Sequence, residues 1–314
     1  LEYSQIKEIG NDFTEVFITN MKAKVITQII CFLFVLIVIY ISFSSIKLSL
    51  LKIDGTYSFL KRPFMIIVPS VIMALIISNI VQFTVYERML TFLHPVFTGT
   101  GDPLFFKDVG YYLFQRPFLI SLFDTLFYIS IFVTVVVFVS YFFLCGRLGI
   151  STGKDIIKTK SIVTHNVINL FAVVVVKVIS YVLKAEEILY SDGGSFFGAG
   201  YADNIVSKMY YQLIPFVLIA ILVAAVVLAG KGKAKYALLS VLAYPMVYVL
   251  FIAGNLFVQT FVVNPQEVTM EAPYIANNIK YTQMAYGIDK IAKKEFPVSY
   301  NLDTNKLSED SDAL

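Results

Sequence analysis

Val25-Ile26-Thr27-Gln28-Ile29-Ile30-Cys31-Phe32-Leu33-Phe34-Val35-Leu36-Ile37-Val38-Ile39-Tyr40-Ile41-Ser42-Phe43 runs for nineteen residues without a charge. A helix needs about 20 apolar residues to cross the roughly 30 Å hydrocarbon layer of a bilayer. Five further stretches have the same character: Phe64–Tyr86, Phe118–Leu144, Val167–Leu183, Leu213–Ala229 and Tyr236–Phe261. All are rich in Val, Ile, Leu and Phe. β-Branched residues form helices poorly in water, but in lipid every backbone group must be bonded within its own segment, so the helix wins. A membrane β-barrel would instead show strands of about ten residues with alternating polarity, which these runs lack.

The whole chain agrees with its spans. Of 314 residues, 58% are hydrophobic and only 15% charged, with 28 Phe, 20 Tyr and no Trp. A soluble fold of this length needs more charge to cover its surface. Collagen, disorder and small disulfide scaffolds are excluded by the same figures. The reading is an all-α, polytopic transmembrane bundle. Its organisation is an extracytoplasmic segment 1–24, a bundle 25–261, and from 262 the start of a further extracytoplasmic domain.

Orientation follows from Lys and Arg in the short loops. The loops after spans one, three and five hold eleven basic residues (Lys47, Lys52, Lys61, Arg62, Arg147, Lys154, Lys158, Lys160, Lys231, Lys233, Lys235) against Asp54 and Asp155. The opposite side holds eight basic and eleven acidic residues, the acids including Asp102, Asp108, Glu186, Glu187, Asp192 and Asp203. The basic loops are therefore expected in the cytoplasm and both termini outside a cell membrane, with only Lys22 and Lys24 against this. A chain opening on Leu1 outside, with no signal peptide, reads as a piece lacking a preceding span. The polar stretch Pro265–Leu314 reads as the first piece of a larger domain.

Three stretches on the acidic side are too particular for ordinary loops. The first runs Asp102-Pro103-Leu104-Phe105-Phe106-Lys107-Asp108-Val109-Gly110-Tyr111-Tyr112-Leu113-Phe114-Gln115-Arg116-Pro117-Phe118. There Asp102 is suited to cap a helix and Pro103 to its first turn. The second runs Leu189-Tyr190-Ser191-Asp192-Gly193-Gly194-Ser195-Phe196-Phe197-Gly198-Ala199-Gly200-Tyr201-Ala202-Asp203, and the third begins Glu271-Ala272-Pro273-Tyr274-Ile275. The third continues through Asn278-Ile279, Thr282 and Ala285-Tyr286-Gly287.

These motifs, in this order, resemble uncharacterised protein family 0182, a group of large prokaryotic membrane proteins. The resemblance covers essentially the whole chain, including Lys7-Glu8-Ile9-Gly10 through Val16-Phe17 and Thr19. It implies about seven N-terminal spans followed by a long extracytoplasmic domain, of which this chain would hold spans two to seven. Phe106 stands where the family's pattern has a small residue, Arg116 where it has an apolar one, and Gln283 where it has Arg. The resemblance implies no activity.

Familiar chemistries fit poorly. Gly149-Ile150-Ser151-Thr152-Gly153-Lys154-Asp155 is one residue too short between its glycines for a phosphate loop and ends in Asp where Ser or Thr is needed. Gly198-Ala199-Gly200 lacks a third glycine and a βαβ setting. Gly194 and Gly198 have small-xxx-small spacing but sit in a loop, where a compact re-entrant or lid segment is the functional alternative. His94 and His165 each lack a second ligand at metal spacing, and Cys31 and Cys145 lie on different spans. Gly149-Ile150-Ser151-Thr152-Gly153 spells Gly-x-Ser-x-Gly, but it follows a membrane span and not the strand a nucleophile elbow needs. Asp102, Asp108, Asp192 and Asp203 read either as a Ca²⁺ site or, more simply, as acids that shape loops. No catalytic set, resident metal or cofactor is therefore assigned, and no nucleic acid is expected. The lipid bilayer is the certain partner, with envelope proteins or self-association beyond it.

Polar groups within the spans remain, and burying them is costly. Lys177 lies about six residues from the outer end of span four, roughly 9 Å deep at 1.5 Å per residue. Asn79 and Gln82 share a face of span two, Asp124 enters span three at similar depth, and Asn255 and Gln259 sit at the outer end of span six. Pro245 favours a kink in the same span. One expectation is an outer-leaflet polar vestibule in which Lys177 pairs with Asp124 or is bound by Asn79 and Gln82. The other is that Lys177 snorkels outward while the amides hold helices together. The function classes that follow are an anchor and assembly platform for the extracytoplasmic domain, or a transporter or lipid- or small-solute-binding protein using the vestibule. A membrane enzyme ranks third. The outer-loop residues carried forward with the vestibule set are Asp102, Pro103, Asp108, Asp192, Gly198, Gly200, Tyr201 and Asp203.

Overall fold

A computed structural model of the chain describes residues 11–53, 62–147, 160–192 and 196–292. The phosphate-loop-like stretch 149–155, the segment 7–10 and Gly194 lie outside the described residues. Helices account for the architecture. They are α1 (Asn11–Ile53), α2 (Phe64–Leu93), α3 (Arg116–Arg147), α4 (Lys160–Lys184), α5 (Lys208–Gly230), α6 (Ala234–Val241), α7 (Ala243–Phe257) and α8 (Glu267–Tyr286). Among the described residues the only β features are two isolated bridges, Gly101 to Asp108 and Asp192 to Phe197.

Among the described residues, six helical stretches are long and apolar enough to cross a membrane, and between 0 and 28% of each one's most apolar portion is buried within the chain. Residues such as Ile37, Phe83, Phe138, Phe216 and Val249 point outward along their whole lengths. An aqueous protein would hide such side chains; a lipid-solvated one need not. The expected all-α multispan bundle is the observed one.

The first helix extends beyond its predicted span. It starts at Asn11, so residues 11–24, expected as a separate segment, continue α1. The sixth span is broken. Pro245 has no N–H to bond the carbonyl four residues back, and α6 ends at Val241 with α7 starting two residues later. Pro245 therefore sits in the first turn of α7, where its missing donor costs nothing.

Two cores hold the spans together. In the first, Val35, Ile39, Ile46 and Leu50 of α1 meet Ala74, Val81 and Val85 of α2 and the every-fourth-residue ridge Ile129, Val133, Val137, Tyr141, Cys145 of α3. Ser70, Ala74 and Ser78 of α2 are fully buried, so small residues one turn apart let a neighbouring backbone come close. The hydroxyls of Ser70 and Ser78 return to carbonyls of their own helix, leaving no polar group stranded in lipid. The second core is aromatic: Tyr181 of α4, Tyr210 and Ile214 of α5, with Tyr244 and Phe251 of α7 packed against them.

The chain divides into two units, Leu1–Glu271 and Ala272–Leu314. In the second, the described residues are the remainder of α8 to Tyr286, Gly287 at φ +68° and a short turn Ile288–Lys290.

Candidate functional site

The distinctive loops are built on carboxylates that collect donors. Asp108 accepts from the backbone N–H of Gly110 (2.6 Å), Gly99 (2.7 Å) and Thr98 (3.1 Å). Asp102 accepts from the N–H of Phe105 (2.7 Å), Leu104 (2.8 Å) and Lys107 (2.8 Å), and from the Tyr112 hydroxyl (2.8 Å). No helix follows Asp102, contrary to the expected cap. Pro103 lies in a tight turn instead, closed by Asp102 N–H donating to Lys107 O at 2.9 Å. Gly110 is obligatory: a Cβ there would lie 2.0 Å from the Val96 carbonyl oxygen. At Phe106 the chain takes φ +59°, a left-handed conformation that a residue without a Cβ adopts more easily.

These bonds set the titration of the loop. The Thr98 N–H, aided by those of Gly110 and Gly99, holds the Asp108 carboxyl below the usual carboxylate range against slight desolvation. Burial draws Asp102 upward, but the N–H donors of Phe105, Lys107 and Leu104 and the Tyr112 hydroxyl outweigh it, so its net shift is also downward.

The turn delivers Lys107 to Glu186, which follows α4 in the short 3-10 turn Ala185–Tyr190. Arg116, the first residue of α3, donates from Nε to the same carboxylate at 3.1 Å and from Nη2 to the Leu183 carbonyl at 3.3 Å. The Tyr111 hydroxyl donates to Glu186 at 3.1 Å, and the Arg116 guanidinium lies 5.4 Å from the Tyr190 ring centroid. Glu186 and Arg116 are buried; two cations and a phenol compensate the carboxylate's desolvation. Sequence reading missed both partners. Glu186 stood as one acid among eleven, and Arg116 as a departure from a pattern.

The second motif closes in the same way. Ser191 Oγ lies 2.5 Å from an Asp203 oxygen and 2.8 Å from the Gly198 carbonyl oxygen, which share its one hydroxyl hydrogen, and Gly198 takes φ +124° to permit it. Asp192 forms the antiparallel bridge with Phe197. Ser207 donates to Asp203 at 3.0 Å and accepts from Asn255 Nδ2 at 3.1 Å, joining the start of α5 to α7. Buried Glu271, opening the third motif, receives the Tyr201 N–H on both oxygens at 3.1 and 3.3 Å. A Cβ on Gly200 would sit 3.1 Å from that carboxylate. The first two motifs and Glu271 therefore meet at one end of the bundle. Three π-helical turns lie beside them, Tyr111–Gln115, Asp203–Ser207 and Val258–Val263. Such widened turns are common at functional positions.

The vestibule residues are arranged differently from the expected pairing. The ammonium within reach of Asp124 is that of Lys184, at 3.9 Å, and Ser180 donates to Asp124 at 3.2 Å. Lys177 Nζ lies over the Phe127 ring at 4.4 Å and the Tyr181 ring at 5.1 Å. Asn79 accepts from Gln28 at 3.1 Å on the exposed side of α2, and Gln82 is buried on another face. Gln259 donates to Asn264 at 3.3 Å, apart from the Asn255 network. A mainly apolar cavity of about 480 Å³ lies between α2 and α3, with Arg88, Ser121 and Asp124 among its polar lining residues.

Chemically, Asp102, Asp108, Asp203 and Glu186 each hold two or more donors, so they tie loops down and offer no free base. Among the described residues no group of three or more His, Cys, Asp or Glu is placed to hold a metal ion. Cys31 and Cys145 are free thiols.

No solved structure matches the chain. A protein from Caldicellulosiruptor saccharolyticus named UPF0182 protein is 35% identical over 300 residues, covering 95% of this chain and 33% of the relative. Similarly named proteins of Clostridium botulinum strain Langeland and Clostridium perfringens strain SM101 are each 27% identical, covering 96% and 98% of this chain and 35% and 34% of their own lengths. The chain thus spans about a third of the relatives it matches. The model of the uncharacterised protein family UPF0182 matches residues 6–314, and the chain belongs to that family.

Proposed function

We propose that this membrane bundle is an anchor and assembly platform for a large extracytoplasmic domain in the cell envelope. Its motif end faces outward, with the Lys-rich loops in the cytoplasm. The observation that carries this reading is the use of the motif carboxylates. Asp102, Asp108, Glu186 and Asp203 are engaged in fixing loops to one another at one end. A platform needs a rigid surface, and internal ties between loops supply one.

A second reading is lipid or small-solute handling, favoured by the cavity between α2 and α3 beside Asp124 and Arg88. Purification of the full-length protein from native membranes, with bound proteins and lipids identified together, separates the two. The platform reading expects envelope partners to be lost on Arg116→Leu at unchanged insertion, and kept on Lys177→Met. Loss of bound lipid or of uptake on Lys177→Met, with partners unchanged on Arg116→Leu, would sink it in favour of the second.

A further inference from the structure

The opposite end of the bundle carries a pocket that sets hydroxyls, an imidazole and a lysine beside the apolar Leu48 and Ile168. It has a volume of about 560 Å³ and lies between α1 and α4. Two facing stripes line it at helical spacing. Ser45 and Ser49 come from α1, and Lys160, Ser161, Thr164 and His165 from α4. Among the described residues that line it there is no carboxylate.

Its groups are donors in surplus. Ser49 and Ser161 stand 2.7 Å apart, oxygen to oxygen. With Ser161 donating to Ser49 and Ser49 to the Tyr141 hydroxyl, both hydrogens are used inside this chain of hydroxyls. The Tyr141 hydroxyl meets His165 Nδ1 at 3.0 Å. With Tyr141 as donor, the ring proton sits on Nε2 and is a further donor. Ser45 and Thr164 add two hydroxyls, and Lys160 an exposed ammonium with three N–H groups.

A ligand for this set needs several acceptor oxygens and negative charge, and must be accessible at the depth of a helix end. We propose that the pocket between Ser45, Ser49, Lys160, Ser161, Thr164 and His165 binds a phosphate group. A phosphate has enough oxygens to accept from both helices at once, and its charge answers Lys160. Helix ends of membrane spans lie at headgroup level, so the same chemistry is presented by a phospholipid headgroup or by free phosphate. This site is separate from the motif end and does not depend on its proposed function.

The test uses the full chain purified in detergent and exchanged into bilayers. One arm titrates inorganic phosphate in detergent by phosphorus magnetic resonance. The other measures retained lipid by native mass spectrometry. It compares phosphatidylcholine bilayers with equal mixtures of phosphatidylcholine and phosphatidylglycerol. Lys160→Gln and Thr164→Val change exposed residues, so the fold is retained. Together they should weaken binding by about tenfold or more, the effect of losing one charge-assisted bond. Lys233→Gln, an exposed lysine at the same end but outside the pocket, should leave it unchanged. Phosphate binding that the pocket variants weaken identifies free phosphate as a ligand. Phosphatidylglycerol retained against added phosphate, and lost in the variants, identifies a headgroup. Binding of neither, or binding weakened equally by Lys233→Gln, overturns the proposal.

Discussion

Arg116 Nε donates to Glu186 Oε2 at 3.1 Å with both side chains more than nine-tenths buried. The bond ties the first turn of α3 to the turn that ends α4. Removing one member of a buried ion pair typically costs about 3–5 kcal/mol, because its partner is left charged and dry. Here Lys107 still reaches Glu186, so Arg116→Leu should cost toward the lower limit. Adding Glu186→Gln to Arg116→Leu removes a buried carboxylate left with Lys107 alone, whose half-exposed ammonium can turn to water, and should restore part of the loss. Unfolding in detergent for the two single variants and the double checks this. Additive losses would mean that the pair is not coupled as the geometry requires.

Phe106 carries a local strain that a single change should release. A non-glycine residue in the left-handed region costs about 1–2 kcal/mol, and φ here is +59°. The ring is 83% exposed, so little packing is lost with it. Phe106→Gly therefore should stabilise the loop, with the gain cut to about 1 kcal/mol or less by glycine's greater freedom when unfolded. Phe106→Val, β-branched at the same φ, should destabilise. Thermal melts of the two variants in one detergent should move in opposite directions, and a shared direction would place the strain elsewhere.

The acid and base limits of the Thr98–Tyr112 loop follow from its shifts. Asp102 and Asp108 titrate below their ordinary values when folded. Their contribution is therefore complete above about pH 4 and is lost as pH falls through the lower folded values. For Lys107, desolvation lowers the ammonium's pKa, but Glu186 and Tyr111 outweigh it, so its net shift is upward. Its contribution is present below the ordinary lysine value and is lost as pH rises through the folded one. Hydrogen-exchange protection of the Gly99, Phe105 and Gly110 amides should stay flat from about pH 5 to about pH 9. Protection should fall only toward either extreme, and Asp108→Asn should remove part of the acid transition. A loss of protection near neutral pH would contradict these bonds.

The spans were legible because a nineteen-residue uncharged run such as Val25–Phe43 has one solvent in which it is stable. The motif loops were legible as unusual, and their glycines and aspartates as candidates. What they touch was not. Glu186 lies seventy residues from Arg116, and nothing local distinguishes it from Glu187. The choice is made by how α3 crosses α4. The same crossing decides between Lys177 and Lys184, two turns apart on one face of α4, and Asp124 takes the second. The π turns were equally hidden, since one added residue per turn leaves no trace in composition. Pro245 was readable, because a missing N–H acts on its own helix.

Lys177 provides the sharpest test between a site and a support. Its ammonium rests on the faces of Phe127 and Tyr181, an arrangement worth about 0.5–2 kcal/mol. Against this stands the cost of a charge within a span, about 2.5–3.5 kcal/mol at the centre of a helix and less toward its end. Methionine keeps the length of the side chain and its contact with the two rings while removing the charge. On the platform reading, Lys177→Met should leave stability and abundance equal or higher, and the full-length gene carrying it should still complement a deletion strain. Lys184→Met, which strips Asp124 of its nearest cation, should be the more harmful of the two. Failure of Lys177→Met to complement at normal abundance would instead make the ammonium a functional group. A vestibule around Lys177 would then displace the platform as the reading of this bundle.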